Sequence, residues 1–341
     1  MNSIYGNAFL ALIAANSSDC KDGFFQRSVL DEAPETDNTR DSFPYEEEPI
    51  NSRAWALQEW ELCPRRLVFA SYRLIYTCDE HLRPGFKRDP FTGRCRTQLA
   101  PEANLHTWGT LVEKYSVRKL ENPDDKLTAL AGLAKRFASL TEGNYGRYLA
   151  GLWEEDLLRQ LLWRQWNTVD FRAPVASKRP ETWRAPSWSW ASIDGPISCM
   201  PLAPEKCSPS ILVSAEATPT SDVSPYGRIA SGAITIRGPC VVSCASKGLR
   251  ADLITDSTGW TKLRRGKKEF ATVAFDTKED GEVCDSPGKL HFLGILNATS
   301  KTWGLILITA DDAKFRRVGV FFTDDNSEWL QEESVSIYTI I

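Results

Sequence analysis

The chain has 341 residues, enough for two domains with sizeable cores. Hydrophobic residues at 42% and charged residues at 25% are ordinary globular values, and a net charge of −4 gives no reason to expect non-specific nucleic-acid binding. Nine cysteines without a Cys-x-x-Cys pair, and three scattered histidines (His81, His106 and His291), offer no metal spacing and predict reduced thiols in a cytoplasmic protein that holds no metal.

In chain order, the apolar run Phe9–Ala15 has no preceding Lys or Arg and is too short to span a membrane. It reads as a buried strand around Leu10–Ala14 entered from a short helix. Residues 31–49 are acidic and contain proline, which predicts a solvated loop. A helix covers about 51–63 and stops at Pro64. Two short strands follow, Arg66–Ala70 and Arg73–Thr77. Residues 79–101 are polar and rich in Pro and Gly, hence a loop.

Three helical segments come next. Residues 104–118 carry Trp108, Leu111, Val112 and Tyr115 at helical spacing. Asn122 and Pro123 open a second helix as N-cap and first residue, presenting Leu127, Leu130, Ala134 and Phe137. Residues 148–166 show a stripe of Leu149, Leu152, Trp153, Leu157, Leu161 and Trp166. In Pro186–Ser192, serine alternates with tryptophan, as in a strand with Trp188 and Trp190 on one buried face. After Pro196 helical stripes vanish. Strands are predicted at 211–216, 233–237, 240–244, 270–276, 290–296, 303–309, 316–322 and 336–341, as a sandwich or open barrel. Residues 259–268 form a basic hairpin turn; their glycine spacing does not fit a phosphate loop.

The stretch Arg53–Arg65 carries the most chemistry. Helical spacing puts Trp55, Gln58, Glu59 and Leu62 on one side, mixing apolar groups with an amide and a carboxylate. A carboxylate beside a large aromatic ring can have a raised pKa and act as an acid or base. The alternative is that Glu59 pairs with Arg53, Arg65 or Arg66 and only fixes the helix.

The same residues, Arg53, Ala54, Trp55, Gln58, Glu59, Leu62 and Arg65, resemble the Arg-Gly/Ala-Trp-x-x-Gln-Glu-x-x-Leu-x-x-Arg block of the fungal heterokaryon-incompatibility (HET) domain. Ile4-Tyr5-Gly6-Asn7-Ala8, Pro186–Ser192, Arg317–Phe321 and Thr339-Ile340-Ile341 are similar to further segments of that family. The opening Leu-Ser-Tyr-x-Trp-Gly strand and the Trp-Ile-Asp-x-x-Cys-Ile strand of HET domains have no counterpart, which predicts a domain truncated at its N-terminus, with the flank of the Leu10–Ala14 strand uncovered.

The expected fold is α+β: a partial α/β unit of Toll/interleukin-1-receptor (TIR) type at 1–78, a loop and helical segment at 79–195, and a β-rich region at 196–341. The resemblance implies a protein of nonself recognition and programmed cell death, acting through protein partners or self-association, with no nucleic acid and no membrane span. It needs no cofactor. The alternatives are an NAD glycohydrolase with Glu59 as catalytic carboxylate and Arg53, Trp55 and Gln58 as binding residues, NAD then being a substrate, or an inactive truncated fragment.

Overall fold

The computed structural model describes residues 2–19, 21, 23, 48–71, 74–78, 103–166, 177–199, 208–244, 249–251, 259–282, 288–298, 300–311, 313–324 and 334–341. The chain divides into two compact units, Met1–Glu142 and Gly143–Ile341, where the sequence reading placed divisions after residues 78 and 195. Of the loop expected at 31–49 all but the last two residues lie outside the described residues, as does the whole loop expected at 79–101.

The first unit contains α1 (Asn2–Gly6), β1 (Ala11–Ala14), α2 (Ala54–Leu62), β2 (Arg65–Phe69), β3 (Leu74–Cys78), α3 (Leu105–Ser116) and α4 (Ala131–Leu140). Strand β1 pairs in parallel with β2, matching Ile13 with Val68, and β2 pairs antiparallel with β3. Parallel strands need a crossover, and α2 lies within it, so the local order is the strand–helix–strand unit of α/β proteins. The buried side chains Ile13, Ala15, Val68 and Ala70, with Ile50 and Trp60 against them, make its core.

Helix α3 starts at a capping box, in which Asn104 Oδ1 accepts from Thr107 N (3.0 Å) and Thr107 Oγ1 accepts from Asn104 N (2.9 Å). Its stripe Trp108, Leu111, Val112 and Tyr115 is buried as the spacing predicts. Leu127, Leu130, Ala134 and Phe137 are buried too. The helix expected from Asn122 onward begins differently, with two 3-10 turns, Pro123–Asp125 and Thr128–Leu130, before α4. Glu48, expected in a solvated loop, is buried, and its carboxylate accepts from Ser71 N (2.7 Å) and Ser71 Oγ (3.0 Å).

The second unit opens with β4 (Tyr148–Leu149), β5 (Leu152–Trp153), α5 (Leu157–Gln160), β6 (Arg164–Gln165) and β7 (Ile197–Ser198). The helix expected over 148–166 is therefore absent. Ala150 and Gly151 both take positive φ (47° and 99°), the turn that joins β4 to β5 as a tight hairpin. The stripe Leu149, Leu152, Trp153, Leu157 and Leu161 is buried nonetheless, while Trp166 is 41% exposed. Pro186–Ser192 is likewise no strand but a turn ending in a 3-10 stretch, Trp190–Ser192, capped by Ser189. Trp188 and Trp190 are fully buried, as expected.

The remainder is strand-rich: β8 (Ile211–Pro219), β9 (Ile229–Ser243), β10 (Leu249–Ala251), β11 (Thr261–Arg265), β12 (Lys268–Phe275), a short α6 (Lys278–Glu282), β13 (Leu290–Ala298), β14 (Lys301–Thr309), β15 (Lys314–Asp324) and β16 (Ser334–Ile340). The strands expected at 233–237 and 240–244 are one continuous strand, β9. Strands β9, β13, β14, β15 and β16 pair in a closed ring, because β16 bonds both β9 (antiparallel) and β15 (parallel). Strand β8 extends the sheet from β9, and β12, β11 and β10 extend it from β15. Phe270, Phe292 and Phe321 meet edge-to-face in the core at 5.0 and 5.4 Å between ring centres.

Candidate functional site

The residues singled out by sequence lie on α2, and the structure separates them. Arg53 is the N-cap residue and is exposed; its main chain forms a parallel bridge with Lys119. Trp55 is half-buried. Gln58 is 1% exposed, and its Oε1 accepts from Gly132 N at 2.7 Å. That amide is one of the donors at the start of α4 that lacks a partner within its own helix, so Gln58 caps one helix from another. Gly132 is needed there, since a Cβ would stand 2.3 Å from Gln58 Oε1.

Glu59 faces the other way and lines a small open cleft with Asn51 and Arg118 as its polar wall and Ile13, Ile50 and Trp60 as its apolar one. The Arg118 guanidinium donates to Asn51 Oδ1 (3.0 Å) and to Arg53 O (3.2 Å), tying α3 to the start of α2. Tyr5 on α1 hydrogen-bonds Glu59; burial first, then this bond and the carboxylate charge, pushes the Tyr5 hydroxyl up to about 12. The Tyr5 hydroxyl thus donates to the Glu59 carboxylate. Among the described residues the cleft has room for about one water molecule, whereas a dinucleotide site takes several hundred Å³. Of the four predicted residues only Glu59 reaches it.

The sequence offered Arg66 only as one possible partner of Glu59, yet its hydrogen bonds to Trp60, Cys63 and Thr77 lead elsewhere. Arg66 is completely buried and donates to Trp60 O (2.8 Å), Cys63 O (2.7 Å) and Thr77 Oγ1 (2.9 Å). Its guanidinium also lies 5.0 Å from the Trp60 ring centre. It satisfies carbonyls at the end of α2, where a cation complements the helix dipole. The signal was present: a cation two residues past the helix-stopping Pro64.

A second polar cluster lies within the other unit. Arg317 and Asp276, both fully buried, form a two-point pair, Nε to Oδ2 at 3.1 Å and Nη2 to Oδ1 at 2.9 Å. Arg317 also donates to Leu161 O (2.6 Å) and Trp163 O and stacks 3.4 Å from the Trp163 ring centre. Arg179 and Arg316 engage Asp280 beside it, each at 2.9 Å. Loss of hydration outweighs pairing for both central groups, raising Asp276 and lowering Arg317 from their usual values. Each of the three arginines pairs with one of the two aspartates, and Arg317 and Arg179 also donate to main-chain carbonyls, which makes this a structural lock. Its neighbours come from the serine–tryptophan turn: Ser187 Oγ accepts from Arg317 N (3.0 Å), Trp163 Nε1 donates to Trp188 O (2.9 Å) and Trp190 Nε1 to Gly151 O (3.1 Å).

Among the described residues, no three His, Cys, Asp or Glu side chains converge as a metal set, and no helix is long and apolar enough to cross a membrane. Comparison of the chain with known protein families, curated proteins and solved structures finds no match.

Proposed function

We propose that this chain is a HET-domain-like protein of fungal nonself recognition and programmed cell death, acting through protein association. The Arg53–Arg65 block supports the family reading, since it forms the crossover helix between parallel strands β1 and β2, as an α/β unit of TIR type would have it. The observation that carries the association reading is the flank of β1. Among the described residues β1 pairs with β2 alone, and Phe9 (81%), Leu10 (37%) and Leu12 (63%) are exposed beside it. An unpaired strand edge with apolar side chains accepts an extended apolar segment of another protein by strand addition. The cleft at Glu59 supports the enzyme reading less, because of its size.

The test is regulated expression in fungal cells with viability, cellular NAD and complex size as readouts. The wild-type chain is expected to arrest growth and enter large complexes, Leu12→Asp to lose both while keeping its circular dichroism, and Glu59→Gln to behave as wild type with NAD unchanged. A harmless wild type, or a fully toxic Leu12→Asp, overturns the association reading. NAD depletion that disappears in Glu59→Gln installs the glycohydrolase instead.

A further inference from the structure

Strands β8, β9 and β16 lie side by side, and the register assigns every outward side chain to a row. Ile211, Arg237 and Ile337 form one row, Ser214, Thr235 and Thr339 the next, and Glu216 and Ala233 the one after. Val335 stands beyond the first row, and Val213 sits at the bulge of β8 between the first and second. The outward positions are exposed: Ile211 61%, Val213 57%, Val335 63% and Ile337 62%. Four aliphatic side chains clustered on a sheet face are more than the single exposed apolar residues ordinary surfaces carry.

Two charges occupy this face. Arg237 is exposed amid the aliphatic side chains and forms no ion pair among the described residues. Glu216 is exposed two rows away; Arg147 acts on it electrostatically but is itself held by Glu154 at 2.6 Å. The row between them carries only small hydroxyl side chains, with Thr235 Oγ1 and Thr339 Oγ1 at 3.1 Å from each other. Arg237 and Glu216 therefore sit on opposite sides of a flat, low row, about 14 Å apart along the strands.

This spacing is self-complementary. A two-fold axis parallel to the sheet, above its outward face and running along the Thr235 row, turns a second copy face to face with the first. It sends the Arg237 row of one copy onto the Glu216 row of the other, and the reverse. Long side chains then span the one-strand offset between β9 and β8. We propose that this face is a homodimer interface, in which Arg237 of each copy pairs with Glu216 of its partner across the hydroxyl row while Ile211, Val213, Val335 and Ile337 are covered. The small hydroxyls let the two sheets approach, and the single charge of each sign selects this alignment: sliding or inverting the partner sets arginine against arginine. The interface is independent of the β1 flank, which belongs to the other unit.

The purified full chain, examined by light scattering and sedimentation equilibrium over a range of concentrations, tests this. Wild type is expected to be a dimer, and Leu12→Asp to remain one, which separates this proposal from the association reading. Arg237→Glu and Glu216→Arg each place like charges opposite one another at both ends of the interface, and each should weaken dimerisation roughly a hundredfold. Combining Arg237→Glu with Glu216→Arg restores opposite charges and should return the dimer. Both positions are exposed, so the circular dichroism of all three variants should match wild type. A monomeric wild type, single reversals that leave the dimer intact, or a double reversal no better than the singles overturns the proposal.

Discussion

Replacing Arg317 with methionine tests the buried lock in the second unit. The change keeps much of the aliphatic volume and removes the whole guanidinium. Asp276 loses its two-point partner and retains only Arg179, at 3.4 Å. The carbonyls of Leu161 and Trp163 lose their donor, and the Trp163 ring loses the cation stacked on it. Breaking a buried pair by removing one partner costs about 3–5 kcal/mol, since the remaining charge stays out of water. For a unit of this size each kcal/mol lowers Tm by about 2–4 °C, so a fall of about 10 °C is expected. Because loss of hydration outweighs pairing at both groups, removing the second charge should help: Arg317→Met with Asp276→Leu should be more stable than Arg317→Met alone. Differential scanning calorimetry of the wild type, both single variants and the double variant closes the cycle. A Tm within about 2 °C of wild type for Arg317→Met, or a double variant that loses the sum of the two single losses, would refute the claim that pairing here offsets a burial cost.

Two further outcomes follow from local geometry. Gly132→Ala should destabilise the first unit by about 1–3 kcal/mol despite alanine's better helix propensity, since its Cβ displaces Gln58 Oε1 from the α4 amide; Gln58→Ala in the same chain should recover part of that loss in urea unfolding. Burial pushes the Cys240 thiol from its usual 9.0 up to about 11, against the opposing pull of its bonds to Tyr338 and the Phe292 main chain. A raised pKa stabilises the fold below the ordinary value and is lost as pH rises through the shifted one. Wild type should therefore lose stability between about pH 9 and pH 11 more steeply than Cys240→Ala, and thiol reagents at neutral pH should spare Cys240 until the unit unfolds; equal slopes and rapid labelling would contradict this.

The elements legible from sequence are those whose one face is buried and whose ends carry their own signals. The stripe of α3 and its start beside Asn104, the stop of α2 at Pro64, and the long strands of the second unit all come from neighbours within a few residues, whereas β10 was not expected and β11 falls in a stretch expected only as a hairpin turn. Burial was legible even where conformation was not: Leu149, Leu152, Trp153, Leu157 and Leu161 are core residues, but the chain around them is a hairpin and a single helical turn. A segment covered on all sides loses the alternation that separates a strand from a helix, and only the positive φ at Ala150 and Gly151 decides between them. Of the candidate site, Glu59 was readable as a carboxylate in an unusual setting, yet its donor Tyr5 and its neighbour Arg118 come from distant parts of the chain.

The sequence by itself determined most of the side chains that leave water and where α2, α3 and the long strands of the second unit lie, because propensity, capping and apolar periodicity act over a few residues. Tertiary structure alone decided what those side chains meet. It closed β9, β13, β14, β15 and β16 into a ring through β16, bonded Gln58 to Gly132 instead of turning it into a cleft, and joined Arg317 to Asp276 across 41 residues. Such contacts are selected by the shared cost of burying charges and amides without partners, and that cost is felt only when segments far apart in the chain are already packed together.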